Sequence, residues 1–448
     1  MAVLAQPQLS QLEDEFRFDA QYYSPEKMLF AAEIGLFQTI PLGQVAVVTD
    51  GQHGYFRLDE SSEIRQITAK CIKDGLVDKS KADRLSRETH ENNLRSSLKP
   101  YDVLVTTAGT IGQVGLVTED VPPANIDQDI GRIAIHDSAV SPLYVWAFLQ
   151  SKFGQFQIDR STTGQVQTHL SLAKMKRLRL PLLSRHEEIE ALVSEYLRVK
   201  RQSTEIYKRA QRILNVALHL HEHSPPKPVG YTSRFSALEA SRRFDAEHYY
   251  PTFESFTASL PSAVVLSSVS KKLTFCQRGQ QPAYRDTGLP VINSKHVQPN
   301  RVLLGNNRRA AQNPDTNLQI RYGDVLLNGT GRGTLGRAAP YLFDEPAVPD
   351  NHVTILRSPD LDPVYLSLYL NSAAGQMQVE MHQRGTSGQL ELYPFDIRKF
   401  LIWPAPESFQ RELRDLHDKA AAAERESKRL LEQAKTRVEQ LIEEAAGG

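Results

Sequence analysis

The segment FRFDAQYYSPEKMLF, residues 16–30, decides how the chain is organised, because a second version, RRFDAEHYYPTFESF, occurs at residues 242–256. The two FDA triplets begin at Phe18 and Phe244, an offset of 244 − 18 = 226. Three further pairs match in the same order, the last at an offset of 224: YDVLVTTAGTIGQVG with GDVLLNGTGRGTLGR, PLYVWAFLQSKFGQFQ with PVYLSLYLNSAAGQMQ, and TGQVQTHLSLAKMKRLRLPLL with SGQLELYPFDIRKFLIWPAP. Solenoid repeats are about 20–50 residues long, so this much longer period indicates two homologous domains in tandem.

Each half ends in a long polar segment with a heptad pattern. Apolar or small residues recur at alternating steps of three and four, at Ile189, Leu192, Tyr196, Val199, Ser203, Ile206, Ala210, Ile213, Ala217 and Leu220, and at Leu413, Leu416, Ala420, Ala423, Ser427, Leu430 and Ala434, continuing to Val438, Leu441 and Ala445. Such spacing is typical of a coiled-coil seam. The two segments are in register and carry charges off the seam, so we expect them to pair within the chain. The alternative is that each helix lies on its own domain.

The rest of each half predicts an α+β domain. Short β-rich runs such as VLVTT and GRIAI alternate with Gly, Pro and Asn turns, and one helix is expected near residues 144–157 and another near 365–380. The prolines of SPPKPVG, residues 224–230, mark a linker. The expected divisions are a first domain at 1–183, a first helix at 184–223, a linker at 224–231, a second domain at 232–406 and a second helix at 407–446.

Composition indicates a soluble cytoplasmic protein. The 448 residues include 53 Lys and Arg and 53 Asp and Glu, so a wholly basic nucleic-acid binder is excluded but a local basic surface is not. The N-terminal residues contain no basic segment followed by an apolar core, so we expect no signal peptide, and no apolar run is long enough to span a membrane. Cys71 and Cys276 stand alone, which suits a reducing compartment.

The motif Gly331-x-Gly333-x-x-Gly336 resembles a nucleotide-binding loop in spacing alone. The following residues include Pro340, Pro346 and Pro349, which leave no room for the helix that a phosphate-binding loop requires. In the first half the equivalent glycines are Gly109 and Gly112, again between two β-rich runs. We therefore interpret these glycines as turn residues with positive φ, and expect no nucleotide cofactor.

Other catalytic and metal-binding motifs are weak or missing. The adenine methyltransferase motif, Asn or Asp followed by two prolines and Tyr or Phe, does not occur. Glu426 and Lys428 have a nuclease-like spacing but fall on the second heptad helix, where such a pair is usually solvated. His219 and His223 are four residues apart but lie where the first helix meets the proline linker. The sequence thus predicts no catalytic residues and no metal site.

Taken together, the duplicated FDA segments, the glycine turns and the two heptad helices resemble the specificity (S) subunit of Type I restriction-modification systems. The resemblance covers essentially the whole chain. It implies two target-recognition domains whose helices pair as an antiparallel spacer, and a non-catalytic subunit that reads double-stranded DNA. It also implies partners: two adenine methyltransferase (modification) subunits, which restriction/translocase subunits can join. The first copy departs from the second by lacking the extra glycine pair in its turn.

Matched polar loops are the best candidates for DNA contacts, because amide, hydroxyl and basic side chains read base edges and phosphates. The candidate residues are Gln52, His53, Lys70, Arg160, Thr163, Gln165, Lys174, Lys176, Gln280, Gln281, Lys295, Arg332, Arg384, Thr386, Gln389 and Lys399. The halves differ most between residues 51–95 and 279–317, so we expect two different half-sites separated by an unread spacer of fixed length.

Three alternatives remain open from the sequence. The chain could be the recognition subunit of a related system such as Type IIB, which neighbouring genes would reveal. It could be a stand-alone bivalent DNA-binding regulator, which would bind its site tightly without partners. It could also be a nucleotide-dependent enzyme using the loop at Gly331, which a thermal shift with ATP or NAD would detect.

Overall fold

The computed structural model describes residues 22–54, 56–162, 169–221, 228–311, 316–331, 333–385 and 389–446. The chain divides into two compact units. Unit 1 contains residues 1–200 and 424–448, and unit 2 contains residues 201–423. The boundaries between the units fall inside the two long helices.

The elements that begin in the N-terminal half are seven helices and eleven strands among the described residues. The helices are α1 (Pro25–Gly35), α2 (Leu42–Val45), α3 (Arg87–Asn92), α4 (Pro142–Gln150), α5 (Lys152–Ser161), α6 (Leu172–Lys176) and α7 (His186–Ala217). The strands are β1 (Thr39–Pro41), β2 (Ala46–Asp50), β3 (Arg65–Ile67), β4 (Ile72–Lys73), β5 (Leu76–Val77), β6 (Asp83–Arg84), β7 (Val103–Thr106), β8 (Val114–Leu116), β9 (Ala124–Ile126), β10 (Ile130–Ile135) and β11 (Arg179–Pro181). Short 3-10 helices lie at Ala69–Cys71, Lys79–Lys81 and Leu94–Ser96.

The C-terminal half contains six further helices and twelve strands among the described residues. The helices are α8 (Phe235–Ser241), α9 (Thr252–Ala258), α10 (Pro363–Asn371), α11 (Ala373–His382), α12 (Pro394–Ile397) and α13 (Glu407–Ala446). The strands are β12 (Ser267–Ser268), β13 (Phe275–Arg278), β14 (Tyr284–Arg285), β15 (Leu289–Ile292), β16 (Val297–Gln298), β17 (Arg301–Val302), β18 (Arg309–Ala310), β19 (Val325–Asn328), β20 (Ala338–Pro340), β21 (Val348–Pro349), β22 (Val353–Arg357) and β23 (Leu401–Ile402). Short 3-10 helices lie at Ala246–Tyr249, Val269–Lys271 and Thr316–Leu318.

The main sheets of the two units follow the same strand order. Unit 1 has the order β2-β10-β7-β8-β5-β4, and unit 2 has the order β13-β22-β19-β20. In both, the first four strands are antiparallel neighbours, and a separate parallel pair, β3 with β9 or β15 with β21, lies elsewhere in the unit. The predicted α+β class is confirmed.

The glycine-rich segments are turns, as predicted. Gly109 and Gly112 have φ of 67° and 83° between β7 and β8, while Gly331 and Gly336 have φ of 98° and 77° between β19 and β20. Positive φ is readily adopted only by glycine, and each turn joins two antiparallel strands. No helix of the described chain begins at these glycines, whereas a phosphate-binding loop requires one.

The single helices predicted near residues 144–157 and 365–380 are each two helices. The chain breaks at Ser151 and Ser372, where ψ is 164° and 167° instead of helical. The break allows the second helix to fold against the first, and a glycine makes this possible. A Cβ at Gly154 would lie 2.2 Å from the carbonyl oxygen of Phe148, and one at Gly375 would lie 2.2 Å from that of Leu370. Apolar residues continue through both helices, so the hydrophobic pattern gave no sign of the break.

Replacing Gly375 with Ala is expected to destabilise unit 2 by about 2–3 kcal/mol, because backbone must move to admit the methyl group. Thermal unfolding of the full chain measures the loss. Gly35, where a Cβ would meet nothing within 4 Å, is the matched control, and Gly35→Ala should leave the unfolding temperature unchanged or slightly higher. Equal effects of the two substitutions would contradict this account of the break.

Each unit contains a buried ion pair at the same place in its sheet. Arg132 on β10 donates to Asp102 from Nε at 2.6 Å, and Arg357 on β22 donates to Asp324 from Nε at 2.6 Å. Each aspartate also accepts a backbone N–H from the preceding turn, at Lys99 and Arg321 respectively. The pair therefore fixes both the turn before the glycine hairpin and the neighbouring strand.

Contacts between α7 and α13 occur within each unit. In unit 1, Arg437 donates to Glu188 at 2.7 Å, and Lys200 Nζ lies 2.6 Å from Glu424 Oε1. In unit 2, Ser203 Oγ donates to the carbonyl oxygen of Ala420 at 2.8 Å. The N-terminal part of α7 also packs on the rest of unit 1, because the rings of Tyr196 and Trp146 stack with centroids 5.5 Å apart.

Two further properties concern the described chain alone. Its helices include none that is long and apolar enough to cross a membrane. Its His, Cys, Asp and Glu side chains form no group of three or more that could hold a metal ion.

Candidate nucleic-acid interface

The predicted DNA-contacting residues differ widely in their surroundings. Thr163, Gln165, Arg332 and Thr386 lie outside the described residues. Exposed residues in the described chain are His53, Lys70, Lys176, Gln280, Gln281, Lys295 and Gln389. Lys399 is also exposed, with 48% of its side chain accessible, and the residues of intermediate exposure are Gln52, Arg160, Lys174 and Arg384.

The first two loops, around Gln52 and Gln280, leave the sheet through matched glycines. A Cβ at Gly51 would lie 2.0 Å from the carbonyl oxygen of Ile126, and one at Gly279 would lie 2.3 Å from that of Asp350. Only glycine permits this close approach to the neighbouring backbone. Each loop therefore leaves its strand at the same place, and the glutamine that follows is exposed at Gln280 and partly buried at Gln52.

In unit 1, Asp127 connects two of the predicted loops. Gln52 pairs with Asp127 in a parallel β-bridge, and the backbone N–H of Asp127 donates to Ile67 at 3.3 Å, close to the loop of Lys70. Lys70 itself forms an ion pair with Asp83 at 2.8 Å. Burial, and secondarily the charge of Asp129, raise the pKa of Asp127 to about 6. The structure thus brings Gln52 and Lys70 to the same polar region.

The raised pKa of Asp127 predicts that unit 1 loses stability between about pH 4 and pH 6. The folded state binds the Asp127 proton more tightly than the unfolded chain does. The resulting stabilisation of the folded state is fully present below the unfolded pKa of Asp127, and it is lost as the pH rises through the folded pKa. We expect Asp127→Asn to raise stability by about 1 kcal/mol above pH 7, a value reduced for partial solvent screening, and to flatten the pH dependence. Urea unfolding of both proteins at pH 4.5 and 7.5 measures this. An unchanged pH slope would contradict the assignment.

The remaining predicted residues of unit 1 are separately held. His53 Nε2 lies 3.1 Å from Asp50 Oδ2, and Asp50 also accepts from Arg95 at 2.9 Å. Lys174 and Lys176 lie on α6, whose N-terminus is capped by Ser171. The guanidinium of Arg160 lies 4.0 Å from the ring centre of Tyr22. Arg160 therefore already has an aromatic partner, which sequence reasoning did not anticipate.

In unit 2, Arg278 connects three segments that sequence reasoning treated separately. Its Nη2 donates to the carbonyl oxygens of Gly329 and Leu392, at 3.0 and 3.1 Å, and its Nη1 lies 3.3 Å from Glu391 Oε2. Gln280 and Gln281 follow it in the chain after Gly279. Arg278 thus joins the glutamine loop, the glycine turn and the strand-like segment around Glu391.

Two predicted cations, Arg384 and Lys399, share one carboxylate. Arg384 binds Asp396 through two hydrogen bonds of 2.7 and 3.0 Å, and Lys399 Nζ lies 3.0 Å from Asp396 Oδ1. Burial opposes ionisation of Asp396, but the hydrogen bonds from Arg384 and Lys399 outweigh it and hold its pKa below the usual value. One carboxylate faces two cations, so this cluster retains net positive charge.

The second FDA segment anchors the loop that carries Arg384. Arg243 is buried, pairs with Asp245 and donates to the carbonyl oxygens of His382 and Gln383, at 3.1 and 2.6 Å. These carbonyls end α11, where a helix leaves acceptors unsatisfied and favours a cation. Sequence reasoning found the motif but assigned it no role. The identity of Arg-Phe-Asp-Ala in both copies could have indicated a structural role for this motif. The first copy lies outside the described residues.

The structural equivalence of the two units near α6 and α12 differs from the sequence alignment. The N–H of Leu170 donates to Thr107, and that of Leu392 donates to Gly329, the equivalent positions in the two sheets. The residue-number offset between equivalent positions of the two units is therefore 392 − 170 = 222 here, rather than the 224 of the sequence match. A difference in length of the preceding loops explains the correction, because alignment through loops of unequal length shifts the residues that follow. Under this register Phe395 corresponds to Ala173.

Comparison with known proteins supplies one sequence match. No family model matches the chain. The Type I restriction enzyme EcoBI specificity subunit from Escherichia coli is 31% identical over 132 residues, which are 30% of this chain and 28% of that protein. The match therefore spans less than a third of the relative.

Solved structures align over most of the chain but with low scores. The Type-I restriction-modification system S subunit from M. genitalium aligns over 91% of this chain and 96% of its own, with 11% identity and a TM-score of 0.40. The HsdS subunit from Thermoanaerobacter tengcongensis aligns over 91% and 96%, with 15% identity and a TM-score of 0.29. Because these TM-scores lie below 0.5, the relationship rests on the sequence match. Over those 132 residues, this chain is similar in sequence to the specificity subunit of one Type I restriction enzyme.

Proposed function

We propose that this chain is the DNA-recognition subunit of a Type I restriction-modification complex. The match to the EcoBI specificity subunit is the observation that carries the proposal. In this role the chain reads sequence and performs no chemistry, while adenine methyltransferase subunits modify the DNA and restriction/translocase subunits can join. The recognised site is double-stranded, bipartite and asymmetric.

Two units with the same strand order support a bipartite site. Each presents a glycine-anchored loop carrying glutamine at one end of its sheet, and amide side chains make two hydrogen bonds to adenine in the major groove. The surrounding residues differ, however. Unit 1 places His53 and Lys70 near this loop, whereas unit 2 places Arg278 and Glu391 there. Different side chains predict two different half-sites.

The two target-recognition domains in this proposal are residues 1–183 and 232–406, and α7 and α13 form the spacer between half-sites. An antiparallel pairing is supported by contacts whose residue numbers rise in one helix and fall in the other, from Glu188 with Arg437 to Lys200 with Glu424 and Ser203 with Ala420. Thirty-two residues of α7 measure about 48 Å at 1.5 Å per residue. That length corresponds to roughly one to one and a half duplex turns.

The proposal is tested by selecting DNA with the purified complex. The full chain is coexpressed with its neighbouring methyltransferase gene, the complex is isolated through a tag on this chain, and bound duplexes are selected from a random library. We expect copurification of the methyltransferase and enrichment of a two-part motif with one constant gap. Enrichment of a single contiguous motif, or strong selection by this chain without the methyltransferase, would favour a stand-alone regulator.

A further inference from the structure

An exposed phenyl ring lies among the cations of unit 2. Phe395, on α12, is 53% exposed and belongs to none of the hydrophobic clusters of the described chain. The guanidinium of Arg384 lies 5.0 Å from its ring centre, and Lys399 Nζ lies 5.6 Å from it. The Phe395 ring therefore does not form part of the hydrophobic core of unit 2.

Neighbouring side chains hold this ring in one orientation. The ring of Tyr393 is parallel to it within 9°, with centroids 5.5 Å apart. Tyr393 is in turn held by the guanidinium of Arg278, 5.0 Å from its ring centre. A ring fixed before binding loses little conformational entropy when a partner covers it.

The position of the ring relative to the cations favours a partner with both negative charge and an apolar group. Arg384, Lys399 and Arg278 attract phosphates, whereas the uncharged phenyl ring of Phe395 does not. In the major groove of DNA the thymine 5-methyl is the apolar group that a phenylalanine contacts. Tyr393, Arg384 and Lys399 already lie against the ring, so we expect it to contact a methyl group rather than to insert between base pairs.

We propose that Phe395 contacts the 5-methyl group of one thymine in the half-site read by unit 2, and so selects thymine at that position. The inference rests on the proposed DNA-recognition function. It also adds a source of asymmetry, because the structural equivalent in unit 1 is the much smaller Ala173.

The test uses duplexes in which single thymines are replaced by uracil, which removes only the methyl group. Binding of the complex of the full chain with its methyltransferase is measured by fluorescence anisotropy, one position at a time across both half-sites. We expect one uracil to weaken wild-type binding about fourfold, the value for one buried methyl group. Phe395→Ala should abolish that difference, whereas Phe395→Leu, which keeps an apolar side chain, should retain part of it.

Phe235→Ala is the matched control, since Phe235 is also an exposed phenylalanine of unit 2, at 72%. This variant should keep the wild-type response to uracil. A response that is the same in wild type and Phe395→Ala, the lack of any methyl-sensitive position, or a target without thymine in either half-site would overturn the inference. If the wild-type complex shows no preference for its target over a scrambled duplex, the recognition function itself is contradicted.

Discussion

Inserting one heptad into each long helix is expected to lengthen the unread spacer of the target by about three base pairs. Seven residues add about 10 Å of helix, and the duplex rises about 3.4 Å per base pair. A heptad keeps the seam in phase, whereas other lengths would rotate the apolar residues away from it. Suitable points are after Lys200 in α7 and after Ala423 in α13, at the boundaries of the two units.

Both insertions leave the loops of the two units untouched, so the half-site sequences should stay the same while the gap changes. Single-molecule sequencing of N6-methyladenine in cells expressing the variant complex gives both quantities at once. A seven-residue insertion after Gly230, in the proline-rich connection, is the control and should not alter the gap. An unchanged gap in the double-insertion variant would show that the helices do not set the spacing.

Arg357→Met is expected to have the largest effect on stability. The side chains of Arg357 and Asp324 are 18% and 2% exposed, and Arg357 also donates to the carbonyl oxygen of Gln319 at 2.6 Å. Burial raises the pKa of Asp324 even with the arginine present. Removing the partner leaves a buried carboxylate uncompensated, which costs about 3–5 kcal/mol. For a unit of this size the unfolding temperature should fall by about 10 °C.

A control variant in an exposed arginine–carboxylate pair distinguishes the loss of the buried ion pair from the loss of one positive charge. Arg411 and Glu407 pair with side chains 69% and 85% exposed, so Arg411→Met should change stability by less than about 0.5 kcal/mol. Adding Asp324→Asn to Arg357→Met should restore part of the loss, because the uncompensated charge is removed. Calorimetry of the four proteins measures these effects. Equal small losses for Arg357→Met and Arg411→Met would contradict the structural role of the buried pair.

Features of the fold that depend on local chemistry were predictable from the sequence. The turn role of Gly109 and Gly331 follows from their position between β-rich runs, and their positive φ confirms it. The breaks at Ser151 and Ser372 were not predictable, because they depend on how closely Gly154 and a preceding turn of backbone approach in the folded unit. Apolar periodicity does not record that distance.

Gln280 and Lys399 became candidates through residue type within segments matched in both copies, and their contact with DNA stays a prediction. Their surroundings in the folded unit were not predictable. Arg278 was missed because its role depends on Glu391, more than a hundred residues later in the chain. Phe395 was missed for a similar reason: an isolated aromatic residue in a sequence predicts core, and only its half-exposed position beside Arg384 distinguishes it.

The most direct test of the central claim is a methylome with and without this chain. The neighbouring methyltransferase gene is expressed in a host that lacks adenine methylation, and N6-methyladenine is mapped by single-molecule sequencing. The proposed function predicts a two-part, asymmetric motif with a constant gap that disappears when this chain is omitted. The same methylation pattern in both strains, or no new methylation with the methyltransferase soluble and present, would contradict it.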